Sequence, residues 1–485
     1  MTRLGDNSAP LDSRREPAPV ELLAWTPFST VAALAGAVAL ALWLGSASAV
    51  TVSPRLPTER PLAASGAGKR PANPGKLVFG PGRPMKAEGS WPQFRGPDRT
   101  GIAPVTEKLA RQWPQGGPPV LWSVSMGDGY AGAAIHKGSV YVIDYDAARQ
   151  EDAIRRLSLA DGAEIWRYTY TSHVKRNHGM SRTVPTVTDR LVVTIGPLCQ
   201  VVCLDAISGE LLWKKDLVEE FGAQVPPWYA GQCPLVDKER VILAPGGNPL
   251  LIALEGSTGE SLWQTPNPGG WAMTHCSVTA VEWEGVRQFV YSATKGAVGV
   301  DAVSGRLLWK TTGWQVPVAA VASPVWLGAG RILFSGGYGV GSALFQLRAG
   351  AAGLEAVETL RMKPSVLGAT QHTPIFYNGH IYAIIPSGEL VCLAPDGSRL
   401  WGSGAKARFE LGPFLIADGM ILALDGAKGA LRMIEATPDA FRLVAEAKVL
   451  DGHEAWAPMA LADGRLIVRD LTRMVCLWVG RGERP

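Results

Sequence analysis

Beyond residue 90 the apolar residues fall in short runs broken by turn residues, and the runs recur with a fixed period. Five segments end alike: LSLADGAEIW at Trp166, LDAISGELLW at Trp213, LEGSTGESLW at Trp263, VDAVSGRLLW at Trp309 and LAPDGSRLW at Trp401. The tryptophans stand 47, 50, 46 and 92 residues apart, the last interval being two periods with one degenerate copy. Each segment reads as a strand, a tight turn such as Ser208-Gly209 or Ser304-Gly305, and a second strand ending in Trp. The glycine supplies the positive φ that such a turn requires. Upstream of each segment lies a further hairpin, for example around residues 190–195 and 331–334. Four short strands in about 46 residues is the pattern of a β-propeller blade.

A second marker runs in phase with the first. Pro185, Pro234, Pro324, Pro374, Pro413 and Pro458 each precede an apolar run that starts a blade, with Ser277 and Ala133 in the same position elsewhere. This predicts eight innermost strands. Degenerate outer strands are expected near residues 354–360 and 441–447. The eighth unit, residues 456–479, has three strands and no fourth, while residues 119–125 form a surplus strand whose Trp122 stands 44 residues before Trp166. The expected fold is therefore all-β: a single eight-bladed propeller over residues 91–485, closed by an N-terminal strand that removes the free sheet edges.

The N-terminal pattern is different. Residues 22–44, LLAWTPFSTVAALAGAVALALWL, form a stretch long enough to cross a bilayer, with its apolar centre at residues 31–44. Arg3, Arg14 and Arg15 lie upstream, which orients the N-terminus to the cytoplasm and the rest outward. Ala47-Ser48-Ala49 is a small-residue cleavage signal, so residues 22–49 are a transmembrane anchor or a signal peptide after a cytoplasmic leader, 1–21. Residues 50–90 hold 7 Pro, 6 Gly and 7 Lys+Arg in 41 positions and read as a flexible basic linker spanning roughly 35 Å. The expected location is the cell membrane, single-pass, with the propeller on the periplasmic side, or the periplasm if the signal is cleaved.

Composition narrows the class further. With 56 Gly, 36 Pro, 17 Trp and 19% charged residues the chain is not a coiled coil, and 47% hydrophobic residues exclude wholesale disorder. Residues 1–90 carry 10 Lys+Arg against 6 Asp+Glu and account for the whole net charge of +4. The body is neutral and offers no footprint for nucleic acid.

At residues 204–213 the chain matches the repeat Leu-Asp-Ala-x-Thr/Ser-Gly-x-x-x-Trp throughout, and it thereby resembles the pyrrolo-quinoline-quinone (PQQ) repeat propellers over roughly residues 91–480. The motif WPQFRGP at residues 91–97 resembles the leader of exported members. The resemblance implies one of two roles. Quinoprotein dehydrogenases hold PQQ between a Trp and an adjacent-cysteine disulfide, with Ca²⁺ on Glu, Asn and Asp and an Asp as general base. BamB-like propellers are non-enzymatic scaffolds for outer-membrane protein assembly. Here the six cysteines, Cys199, Cys203, Cys233, Cys276, Cys392 and Cys476, include no adjacent pair and no haem motif. The BamB-like branch is therefore the nearer: a monomeric, non-catalytic scaffold with other envelope proteins as partners. No catalytic residue, metal ligand or cofactor is expected, with PQQ and calcium as the alternative. Cys203, Cys392 and Cys476 fall in equivalent strands as packing residues. Cys233 and Cys276 precede neighbouring blade starts, where buried free thiols are the default reading and a disulfide, or a metal site with His275, is open.

Connections from each outer strand to the next inner strand converge on one face, and here they are polar and aromatic. They hold five of the seven His, together with Trp228, Tyr229, Trp271 and Trp314. Thr183, Gln232, His275, His372 and Trp456 each stand two residues before a blade-start marker, and Arg182, Gln371 and Glu410 stand three before. Such a ring at a concave mouth is how small-molecule sites are built. The candidate ligand-binding residues are Arg182, Gln232, His275, Gln371, His372, Glu410 and Trp456, against the alternative that these groups simply fill the channel.

Overall fold

The repeat motif is explained by what its residues do in blade II. Asp205 ends the third strand (Gln200–Asp205), and its Oδ1 accepts from the backbone N–H groups of Ile207 and Ser208 at 3.0 and 2.7 Å, which closes the turn. Gly209 follows at φ 78°. A Cβ there would lie 2.8 Å from the Trp166 ring of the preceding blade, so both the backbone and the contact demand glycine. The outer strand (Leu211–Asp216) then bulges at Leu212, because Leu211 pairs with Leu204 and Trp213 with Cys203. The bulge adds twist and swings Trp213 toward blade III, where its Nε1 donates to the Gly256 carbonyl at 2.7 Å. Trp122, Trp166 and Trp401 reach the corresponding turns at Leu159, Ile207 and Thr437. The register shift recurs in all eight blades. Two depart from the rule: Trp309 bonds Gln288 of its own blade, and the Trp263 Nε1 makes no hydrogen bond among the described residues.

The computed structural model describes residues 75–482 apart from 105 and 352. They form eight antiparallel sheets, at 134–171, 186–216, 235–266, 279–311, 325–362, 375–402, 414–448 and 460–478. These are blades I to VIII. Each runs from an innermost strand that begins one or two residues after its Pro, Ser or Ala marker to an outer strand on the rim. Blade VIII supplies three strands, and strand β2 (Val120–Ser125) completes it by pairing with Arg473–Trp478, as expected. The hydrophobic core lies between blades. One cluster joins Val193, Val201 and Trp213 of blade II to Val241, Ile252 and Leu254 of blade III, and similar clusters fill the other seams.

Three expectations need correction or placement. The leader, the segment 22–49 and residues 50–74 lie outside the described residues. Among the described residues no helix is long and apolar enough to cross a membrane. Residues 75–90, assigned to the linker by composition, are folded onto the propeller. Strand β1 (Lys76–Phe79) pairs with the outer strand of blade I, Met85 N–H donates to Gly138, and Gly89 N–H to the Asp463 carboxylate. A Lys-Leu-Val-Phe run in a Pro/Gly-rich stretch needs only an open strand edge, and Leu77 packs into the seam between blades I and II. A five-residue helix, α1 (Leu217–Phe221), interrupts the all-β order; Asp216 caps its first turn and Gly222 ends it.

The six cysteines are free and buried. Cys203, Cys392 and Cys476 occupy third strands as expected. Cys233 and Cys276 pack into different seams, and burial pushes the Cys276 thiol up to about 12.

Candidate functional site at the channel mouth

One end of the axial channel is closed by the chain itself. Trp91 exchanges backbone hydrogen bonds with Ile135 at 2.8 and 2.9 Å, and Val187 N–H donates to Pro92. Arg95 donates to the carbonyls of Thr373 and Pro374, Arg99 to that of Pro234, and Ala103 N–H to Ile416. Residues 91–103 thus touch the inner ends of blades I, II, III, VI and VII. The WPQFRGP motif is a plug.

Above the plug lies a cavity of about 380 Å³. Trp91, Phe94 and Arg95 line it from the plug, and Ser277, Thr373, Phe414 and Met459 from the inner strands. At the mouth stand Tyr130, His178, Arg182, Trp228, His275, Tyr338, Gln371, His372 and Trp456. Five of the seven predicted residues meet here. Gln232 does not: its side chain turns into blade III, where Nε2 donates to the Ala244 carbonyl and Oε1 accepts from the Ala244 N–H, at 3.1 and 2.8 Å. Thr183 likewise bonds the Ile195 carbonyl. Glu410 is exposed beside the cavity lining, at φ 50°. The expected ring is therefore partial, because two of its members secure their own blades.

Tyr130 and Tyr338 were missed. Tyr130 stands three residues before the Ala133 marker, in the register of Arg182 and Gln371, so the same count reaches it. Tyr338 lies in the Gly-Gly-Tyr-Gly loop of blade V and enters from the second-to-third strand connection, which register counting does not cover.

The mouth is held in an uncommon backbone conformation. His178, Trp228, Tyr229, Tyr338, Glu410 and Glu454 all have φ between 50° and 71°, which costs roughly 1 kcal/mol or more at each position. The Arg182 guanidinium anchors this arrangement, donating to the carbonyls of Trp228, Asn177 and Gly179. It lies 5.2 Å from the centroid of the Tyr130 ring, which stacks on Trp456 at 5.0 Å and donates its hydroxyl to Glu454 at 2.7 Å. Burial, then the Arg182 charge, lowers the His275 pKa to about 4. Burial does the same to His372. Both imidazoles are neutral at pH 7.

The quinone alternative can be tested on the donors present. Calcium requires hard oxygen ligands, several of them carboxylates. The cavity lining contains no carboxylate, and its fixed charges are Arg95 and Arg182. Among the described residues no cluster of three His, Cys, Asp or Glu is placed to hold a metal. The residues present do not fit calcium-bound PQQ.

Fold and site together define an eight-bladed β-propeller with a self-plugged channel and an aromatic cavity at the open mouth. Within that class the chain is similar to the PQQ-repeat propellers: the family model described as "Outer membrane protein assembly factor BamB" matches residues 150–384. BamB from Moraxella catarrhalis superposes with a TM-score of 0.52 at 12% identity, covering 74% of this chain and 99% of that one. Quinohemoprotein alcohol dehydrogenase from Comamonas testosteroni gives a TM-score of 0.57 at 13% identity, covering 82% and 81%. A europium-containing methanol dehydrogenase gives 0.55 at 12%, covering 78% and 89%. No curated protein matches. At these identities the structural likeness is one of fold, and fold does not choose between scaffold and enzyme.

Proposed function

We propose that the protein is a non-catalytic binding propeller of the cell envelope. Residues 22–49 tether it to the membrane, the propeller faces the extracytoplasmic side, and envelope proteins dock on the cavity-bearing face. The observation that carries this reading is the makeup of that face. Left-handed loops present Trp228 and Tyr338, with Tyr130 and Trp456 beside them, around a single mouth arginine and over a lining without carboxylates. Tyr, Trp and Arg are the residues that concentrate binding energy at recognition surfaces. The family match to an assembly factor supports a protein partner, and a ring that closes on itself needs no second copy.

A photo-crosslinking residue at Tyr338 of the full chain, in its native cells, is expected to capture defined envelope proteins. The same residue at exposed Lys310 on the outer strand of blade IV serves as control. Equal capture at both positions, or none at Tyr338, overturns the reading. The likeness to quinoprotein dehydrogenases keeps a second reading open to direct test. Titration of the full chain with PQQ and Ca²⁺ is expected to give no saturable spectral change. Saturable binding would restore the enzyme branch and justify a screen for alcohol oxidation.

A further inference from the structure

The charges around the axis do not cancel. Arg95 in the plug gives its donors to the carbonyls of Arg99, Thr100, Thr373 and Pro374, and Arg99 gives its donors to Gln93, Cys233 and Pro234. Neither has a carboxylate partner among the described residues. Burial and the Arg99 charge lower the Arg95 pKa to about 9, which still leaves it cationic at neutral pH. Arg182 adds a third guanidinium. Its Nε and Nη2 are taken by carbonyls, while Nη1 donates to no group among the described residues. Glu454 acts on Arg182 through its charge but makes no ion pair with it, and its Oε2 accepts from the Tyr130 hydroxyl. Of the three, Arg95 and Arg182 line the cavity, and cations placed there without a carboxylate in ion-pair contact favour an anion within it.

A second, independent feature points into the same space. His372 lines the cavity at 7% exposure, and neither ring nitrogen has a hydrogen-bond partner. A buried imidazole without a full hydrogen bond is costly, and the carbonyls of Leu411 and Gly412 only approach its ring. Around both groups the walls are aromatic: Trp91, Phe94, Phe414, Trp228, Tyr130 and Trp456.

We infer that the cavity binds a carboxylate carried on an apolar or aromatic body, with Arg182 as the charge partner, His372 as the hydrogen-bond donor and the surrounding rings holding the body. A volume of about 380 Å³ lies at the low end of ligand pockets and suits a body of about two residues. The carboxylate belongs either to a small free acid or to the C-terminus of a peptide whose last side chain enters the cavity. The inference rests on the cavity alone. Crosslinking without partners would remove the scaffold role and leave it standing.

The test is calorimetry and tryptophan fluorescence on the full chain, with matched acid and amide probes. The pairs are phenylacetate with phenylacetamide, and Ala-Ala-Phe with its C-terminal amide. At least one acid is expected to bind saturably and about tenfold or more tighter than its amide. Binding of phenylacetate alone assigns a small acid, and binding of the tripeptide alone assigns a chain end. Arg182→Gln should abolish the preference for acid over amide. Because Arg182 also ties three loops together, His372→Leu provides the second arm: it removes a ring that bonds to nothing, so the melting temperature holds while acid affinity falls at least about fivefold. The inference is overturned if neither acid binds at about 10 mM, if amides bind as well as acids, or if His372→Leu binds like the unmodified chain.

Discussion

On the rim, Trp122, Trp166, Trp213 and Trp401 each cross to the same turn of the next blade and donate to a backbone carbonyl there. At the mouth, five residues in one register do different things. Thr183 and Gln232 bond the backbone of their own blades, whereas His275, His372 and Trp456 face the cavity. The contrast separates what holds the ring together from what the ring presents. The seams reuse a turn glycine against the neighbouring indole at Gly162, Gly209, Gly259 and Gly305, and the bulge in every blade, so their residues repeat. The mouth inherits a frame from those seams and can vary its side chains without loosening it.

The same contrast explains what the sequence made legible. Repetition exposed the blade count, the innermost strands and the closure by β2, because each rests on a period. The bulges escaped, since a strand-turn-strand reading cannot show that Leu212 is unpaired while Trp213 resumes the ladder. Strand β1 escaped because composition averages over 41 positions hide a four-residue strand. The plug was read as a family marker only, since its contacts reach inner strands as distant as Thr373 and Ile416. Register found Arg182, His275, Gln371, His372 and Trp456 but could not separate them from Gln232, whose partner Ala244 is set by the three-dimensional path of blade III.

The largest effect should come from the rim. Trp166 is fully buried in the seam between blades I and II, and Trp166→Ala is expected to cost about 3–5 kcal/mol in chemical denaturation. Trp456, half-buried and stacked on Tyr130, is expected to cost only about 1–2 kcal/mol as Ala. Equal losses would break the division between seam and mouth. Glycine substitutions sharpen it. At Gly259, with φ 73°, a Cβ would meet the Trp213 ring at 2.7 Å, so Gly259→Val should cost about 2–4 kcal/mol. Gly379, at φ 80°, faces open space, and Gly379→Ala should cost about 1 kcal/mol from the backbone alone.

Acid should act on the mouth before it acts on the seams. His275 and His372 have folded pKa values of about 4, against 6.5 for the ordinary imidazole. Between these limits the unfolded chain binds more protons, so stability is full above about pH 6.5 and falls as pH drops toward 4, by up to about 3 kcal/mol per group. Asp152 opposes this: burial raises its carboxyl to about 7, so its contribution is present at low pH and is lost as pH rises toward 7. Denaturation midpoints measured from pH 4 to pH 8 should show a shallower acid-side fall in His372→Leu than in the unmodified chain. An unchanged slope would mean that His372 is not held neutral by burial.

The finest comparison lies within the ring itself, between two residues that the sequence treats as equivalent. Gln232 is fully buried and satisfies both the N–H and the C=O of Ala244. Gln232→Leu strands that peptide group and should cost about 1–3 kcal/mol. His372 is nearly as buried but bonds to nothing, although the carbonyls of Leu411 and Gly412 approach its ring. His372→Leu trades an unpaired polar ring for an apolar one and should change stability by less than about 1 kcal/mol in either direction. Paired denaturation curves for the two variants decide the matter. A cost at His372 equal to that at Gln232 would mean that those carbonyls already hold the imidazole. The ring would then be part of the frame, and the carboxylate inference would stand on Arg182 alone. A neutral result leaves His372 as a polar group kept in an apolar wall without structural return, which is what a ligand contact looks like before the ligand arrives.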